Sequence, residues 1–281
     1  MSTKGDSLKL LKLTLNYTNS KFWYLLLVSL IPSVSIAFVV SPYSSLDFLC
    51  TYFSQNVSSF SVIYKSILGI KTSTFWIGII GVVLVPIAFS ILIGTVERHM
   101  RMGEFTLGVS RLRVRINYNF LTSLKFLLVL LLIFQIGKFL QGIMFFAFAK
   151  FFTETVAFVF SIVWYILIFI LEWFVLSLII LWMPTMLQTG LSSTKAFGLS
   201  VRQVMRHVLS IMLTMLVPTL PMVLFMIANA LLGLKIGLIL DSIILSITFV
   251  YYIVLMYSVF YDVNGIERED LKKVDIWKKS F

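Results

Sequence analysis

The chain has 281 residues, 59% of them hydrophobic and only 12% charged, with a net charge of +11. Soluble domains carry about 25% charged residues, so the composition excludes an ordinary soluble globule. Cys50 is the only cysteine, and His99 and His207 are the only histidines. That excludes an intrachain disulfide, a Cys-rich metal site and paired metal-binding histidines at helical spacing.

Several continuous apolar runs are long enough to cross a hydrocarbon core about 30 Å thick. A transmembrane β-barrel would instead need repeated stretches of about ten alternating residues. The expected fold is therefore all-α, a polytopic transmembrane helical bundle forming a single membrane domain over residues 1–281. Six spans are predicted, at about 22–41, 75–94, 121–146, 156–183, 208–232 and 236–260, followed by a charged tail at 261–281.

In chain order, Lys4, Lys9, Lys12 and Lys21 precede the first run. That run exceeds the apolar region of a usual signal peptide, so it reads as an uncleaved first helix. A long loop, 42–74, comes next. Within it Phe60, Ile63, Tyr64, Ile67 and Leu68 recur at helical spacing. They predict an amphipathic helix, lying in the interface or packed on the bundle.

The second span is followed by a basic segment containing "RLRVRINYNF", residues 111–120. Its strict period of two is a strand pattern. An unpaired strand beside a membrane leaves backbone groups unsatisfied, whereas a helix satisfies its own. The expectation is an inner-face amphipathic helix over 105–119, entering span three. The apolar stretch 139–151 either extends span three or lies in the interface.

A second basic segment follows span four, with Ala196, Ser200, Val204 and Val208 on one face and Lys195, Arg202 and Arg206 on another. At an offset of 90, Gly108 and Ser110 meet Gly198 and Ser200, and Val114 meets Val204. Two weakly repeated units, each span–amphipathic helix–span, are inferred at about 75–146 and 156–232.

Six spans return both termini to one side. The segments on that side hold 17 Lys and Arg, against 5 on the other, with Lys125 inside a span. The expected topology is multi-pass in a cell membrane with both termini cytoplasmic. Arg111, Arg113, Arg115, Lys195, Arg202 and Arg206 are the expected contacts to anionic phospholipid. The basic residues flank membrane runs rather than a soluble patch, so nucleic acid is not the expected partner. A membrane-protein partner or a second copy is left open.

Charges inside a bilayer are costly and mark candidate sites. Glu172 in span four and Lys125 in span three are expected to pair, with Ser161 and Tyr165 on the Glu172 face. A structural pair, a substrate or proton site, and snorkelling of Lys125 all fit the residues. Asp241 sits near the outer end of span six, within reach of Lys235. Pro32, Pro86, Pro218 and Pro221 fall mid-span, where kinks occur both in transporter sites and in ordinary membrane helices. No Walker A, Rossmann or nucleophile-elbow motif occurs. No catalytic residue, cofactor or metal ligand is assigned.

The pattern Pro184, Leu187, Ser193, Ala196, Phe197, Ser200, with a basic segment before a span, resembles two uncharacterised bacterial groups. One is the membrane domain of some glycerophosphodiester phosphodiesterases and its stand-alone relatives. The other is the YesL-like family. The resemblance covers about 75–260 and implies a six-helix bundle in a bacterial membrane. The phosphodiesterase catalytic domain has no counterpart in this sequence, so no activity carries over. The expected role is a non-catalytic accessory, scaffold or membrane-homeostasis protein, with a small transporter or permease subunit using Glu172 as the alternative.

Overall fold

The computed structural model describes residues 7–41, 43–51, 59–105, 109–217, 219–232 and 237–271. Among these the regular structure is helical, apart from one isolated bridge, Val40–Ile70. The helices are α1 (Ser7–Val39), α2 (Ser44–Cys50), α3 (Phe60–Leu68), α4 (Phe75–Val82), α5 (Leu84–Met102), α6 (Val109–Phe151), α7 (Glu154–Ile179), α8 (Trp182–Thr189), α9 (Ser193–Val204), α10 (Val208–Leu216), α11 (Thr219–Leu232) and α12 (Gly237–Asn264).

Among the described residues three stretches are long and apolar enough to cross a membrane: Ser110–Phe151, Glu154–Thr189 and Gly237–Asn264. A fourth is added if the two halves of α1, Ser7–Lys21 and Trp23–Val39, count as one span; they are bent by 88° to each other. The predicted spans 75–94 and 208–232 fall instead on broken helices.

Proline chemistry accounts for the breaks. A proline at position i cannot donate to the carbonyl at i−4. Pro86 leaves the Val82 carbonyl without that bond, and α4 ends at Val82. Pro184 does the same to Ile180, next to the end of α7 at Ile179. Position 218 lies outside the described residues, but its proline cannot serve the Thr214 carbonyl. The Tyr251 hydroxyl donates to that carbonyl at 2.8 Å, and Tyr252 donates to Met215 at 2.9 Å. The Thr214 carbonyl freed at this break is thus satisfied from α12.

The segment with the period of two is a helix. α6 runs unbroken from Val109 to Phe151, so 109–119 and 139–151 belong to the same rod as span three. At about 1.5 Å per residue its 43 residues extend about 64 Å, well beyond a hydrocarbon core. The matching segment, α9, is equally helical and buries Ala196, Ser200 and Val204, the face read from its spacing. It folds back on α7 and α8, with Ser200 donating to the Leu178 carbonyl at 3.1 Å and Trp182 to the Ser193 carbonyl at 2.9 Å. The first copy is continuous with its span, whereas the second breaks at 205–207 before α10.

The main core joins α1, α5, α7, α8, α10 and α12, with Leu25, Ile93, Leu181, Met183 and Tyr257 almost wholly enclosed. α12 packs on α1 more extensively than any other pair. A buried serine pair, Ser29 and Ser246, bridges them at 2.5 Å between hydroxyl oxygens. α6 and α7 form an antiparallel hairpin, turning through residues 152–153.

Two polar ends follow from this threading. The basic end collects the first turns of α1, the end of α5, the start of α6, α9 and the end of α12. The cap end collects α2, α3, the start of α12 and the α6–α7 turn.

Candidate functional site

At the cap end, α2 and α3 are laid over the bundle. α3 buries Ile63 and Ile67 completely and stacks Phe60 on Tyr64, both edge-on to Phe139 of α6. The amphipathic helix read from Phe60 to Leu68 is therefore packed on the bundle. α2 buries Leu46, Phe48 and Leu49, against Phe145, Ala157, Met222 and Ile244. Gly69 ends α3 in the left-handed region at φ +63°, and a Cβ there would collide with Ser44. The pinch is closed by Ser41 N–H to the Gly69 carbonyl at 3.0 Å and Lys71 N–H to the Val39 carbonyl at 2.9 Å.

Beneath this cap lies a charged cluster drawn from five distant segments. Lys71 pairs with Asp241 of α12 at 2.8 Å. Asp241 is 2% exposed, and its other carboxylate oxygen has no hydrogen-bond partner among the described residues. Ser41 donates to Asp47 of α2 at 3.5 Å. Lys138 of α6 donates to Ser44 at 3.0 Å and to the Leu68 carbonyl at 3.2 Å, and Ser44 in turn donates to the Ile67 carbonyl. Burial and the Asp241 carboxylate push Asp47 up to about 6, against the pull of Ser41 and Lys71.

Glu172 belongs to this same cluster. Its carboxylate lies against Gly137, where any Cβ would collide with it, and Lys138 is its charged neighbour. Tyr165 is half-buried near it, and Ser161 is fully buried without a hydrogen-bond partner among the described residues. These three share the inward face of α7, as expected.

Lys125 does not join them. It is exposed and lies twelve residues from Gly137 along α6, about 18 Å by helical rise. The Lys125–Glu172 pairing is corrected to a Lys138–Glu172 neighbourhood. The register explains it: α6 and α7 turn at 152–153, so residues facing Glu172 lie about as far before the turn as Glu172 lies after it. The expected Lys235 partner of Asp241 is outside the described residues, and Lys71 takes that place.

Sequence reasoning missed Lys138, Asp47 and Lys71 as members of one site. The continuity of 139–151 with span three was the available signal for Lys138, because it moves that amine well inside a helix.

The basic end gathers its charges differently. Lys9 pairs with Asp262 at 2.5 Å, and Arg101 with Glu97 at 2.8 Å. Gln188 also donates to Glu97 at 2.8 Å. Tyr17 shares a hydrogen bond with His99 at 3.0 Å while the Arg268 guanidinium lies over its ring. Of the expected lipid contacts, Arg111, Arg113, Lys195, Arg202 and Arg206 are exposed. Arg115 is not: it is 7% exposed and donates to Thr95 of α5 at 2.7 Å, packed over Gly94. Its place among lipid contacts is corrected to a helix–helix tie, because positions 115, 119 and 123 form the face that α6 turns to α5.

Compared with protein-family models, curated proteins and solved structures, the chain matches none.

Proposed function

We propose that the chain is a six-span protein of a bacterial cell membrane with both termini cytoplasmic, acting as a non-catalytic accessory or scaffold component. In this arrangement α4–α5 and α10–α11 cross as broken spans, the basic end faces the cytoplasm and the cap end faces out. The resemblance drawn from 75–260 implies the same six helices. The observation that carries the reading is how the charged groups are used. Lys9–Asp262 ties α1 to α12 and Lys71–Asp241 ties the segment after α3 to α12, while Arg268–Asp270 is a local pair just beyond α12. Pairs that tie distant segments in this way serve to fix register and arrangement rather than to turn over substrate.

A second reading, a small transporter or permease subunit, is favoured by Glu172. It is a half-buried acid whose charged neighbour Lys138 is already bonded to the cap. Flexible re-pairing between Glu172 and the cap would suit alternating access.

Two measurements separate these. Cysteine labelling at Lys65 and Lys150 should report the outer side, and at Arg113 and Lys195 the inner side; inversion of either pair overturns the topology. Purified protein in proteoliposomes loaded with a pH-sensitive dye should leak no faster than empty vesicles. A proton flux abolished by Glu172→Gln would replace the scaffold reading with the transporter.

A further inference from the structure

α5 and α6 leave between them a groove of about 360 Å³, lined by Ile87, Ile116, Asn117, Phe120 and Leu121. It opens on the outside of the bundle, near the basic end. We propose that this groove is a binding site for a single anionic phospholipid, one acyl chain lying along its apolar wall and the phosphate held by Arg113. The proposal rests on the cytoplasmic assignment of the basic end.

Three observations converge on it. Arg113 is on the same stripe of α6 as the groove, since 113, 116, 117, 120 and 121 follow the three-and-four spacing of one helical face. Arg113 and its neighbour Arg111 are exposed and have no ion pair among the described residues, whereas Arg98, Arg101 and Arg268 each have an acidic partner. Asn117 stands one turn deeper than Arg113 in a wall otherwise made of hydrocarbon. It has no hydrogen bond among the described residues, while Asn119, on the buried face, donates to the Ser90 carbonyl at 3.4 Å.

A phospholipid supplies what each group lacks. Its phosphate oxygens accept from the guanidinium, which reaches them along its own apolar stem. Its ester carbonyls, one step deeper, accept from the Asn117 amide. Its acyl chain fills the groove beside Ile87 and Phe120. Basic pockets between membrane helices on the cytoplasmic side take anionic headgroups by this chemistry.

The test is native mass spectrometry of the full chain in mild detergent, titrated with phosphatidylglycerol and, separately, with phosphatidylcholine. The wild type should retain one phosphatidylglycerol at collision energies that strip phosphatidylcholine. Arg113→Gln should weaken that retention about fivefold, the factor matching about 1 kcal/mol per basic residue near an anionic surface. Ile116→Trp, which fills the groove without changing charge, should also displace the lipid, with an unchanged melting temperature showing that the fold survives. Lys195→Gln, on the exposed face of α9, should leave retention unchanged. Equal losses for Lys195→Gln and Arg113→Gln, or full retention by Ile116→Trp, overturn the site. Labelling of Arg113 from outside would instead overturn the topology reading on which it stands.

Discussion

The two ends of the molecule handle charge in opposite ways. At the basic end the pair that joins distant segments lies near the surface, Lys9 keeping 40% of its side chain exposed while bonded to Asp262, whereas the local Arg268–Asp270 pair is buried. At the cap end the acids are drawn under two short helices, and Asp241 is 3% exposed by side chain against a 27% exposed Lys71. The same chemistry, an amine on a carboxylate, is therefore cheap to break at one end and costly at the other. Burial decides the difference, because an ion stripped of water has only its partner to replace the lost hydration.

That contrast can be broken most directly at Lys71. Lys71→Met strands Asp241 and should cost about 3 kcal/mol, read as a lowered melting temperature in detergent. Adding Asp241→Asn should return at least half of the loss, since contacting residues couple. Purely additive losses would place the cap end in the same class as the basic end.

Gly137 sharpens the comparison within the cap end. Gly137→Ala drives a methyl into the Glu172 carboxylate and should cost about 2 kcal/mol, as overpacking does. A second change, Glu172→Ala, makes room and should recover most of it. If it does not, the space at Gly137 is needed for helix approach rather than for the acid.

A smaller effect is expected from Asp47. Its folded pKa, about 6, stands above the unfolded carboxylate's ~3.9, so the ionised form is disfavoured in the folded protein. Its contribution to stability therefore improves as pH falls from about 6 toward 4, and is least favourable above 6. Relative to Asp47→Asn, the wild type should gain melting temperature between pH 7.5 and pH 5, and at pH 7.5 the variant should be the more stable. A variant less stable at pH 7.5 would mean that Lys71 holds the carboxylate charged.

The smallest change belongs to the basic end. Lys9→Gln should cost about 0.5 kcal/mol and lose its effect in high salt, as exposed pairs do. A loss above 2 kcal/mol would show that this surface is sealed in the membrane-embedded protein.

The basic end was far more legible in the sequence than the cap end. The face of α9 follows from spacing within one segment, as does that of α3 at the cap end, while the helix at 109–119 follows from the need to satisfy backbone groups beside a membrane, against its period of two. Local periodicity reports which residues share a face, and Ala196, Ser200 and Val204 were read in that way. The direction of Arg115 was not, because alternate apolar and polar residues mark no single helical face. The cap cluster depends on contacts between segments up to 170 residues apart, as in Lys71–Asp241. No window along the chain contains that information. The Lys138–Glu172 neighbourhood was within reach, since the short α6–α7 turn fixes an antiparallel register.

The serine bridge between α1 and α12 sets the order in which this molecule can be built. Ser29 leaves the ribosome more than two hundred residues before Ser246, its partner across the most extensive helix contact. Until then the matching face of α1 has nothing of its own chain to meet. During synthesis α1 can already meet α4, α5 and α10, while the face that carries Ser29 waits for the last helix as its keystone. A chain cut after α11 would carry every other helix and still be unable to close.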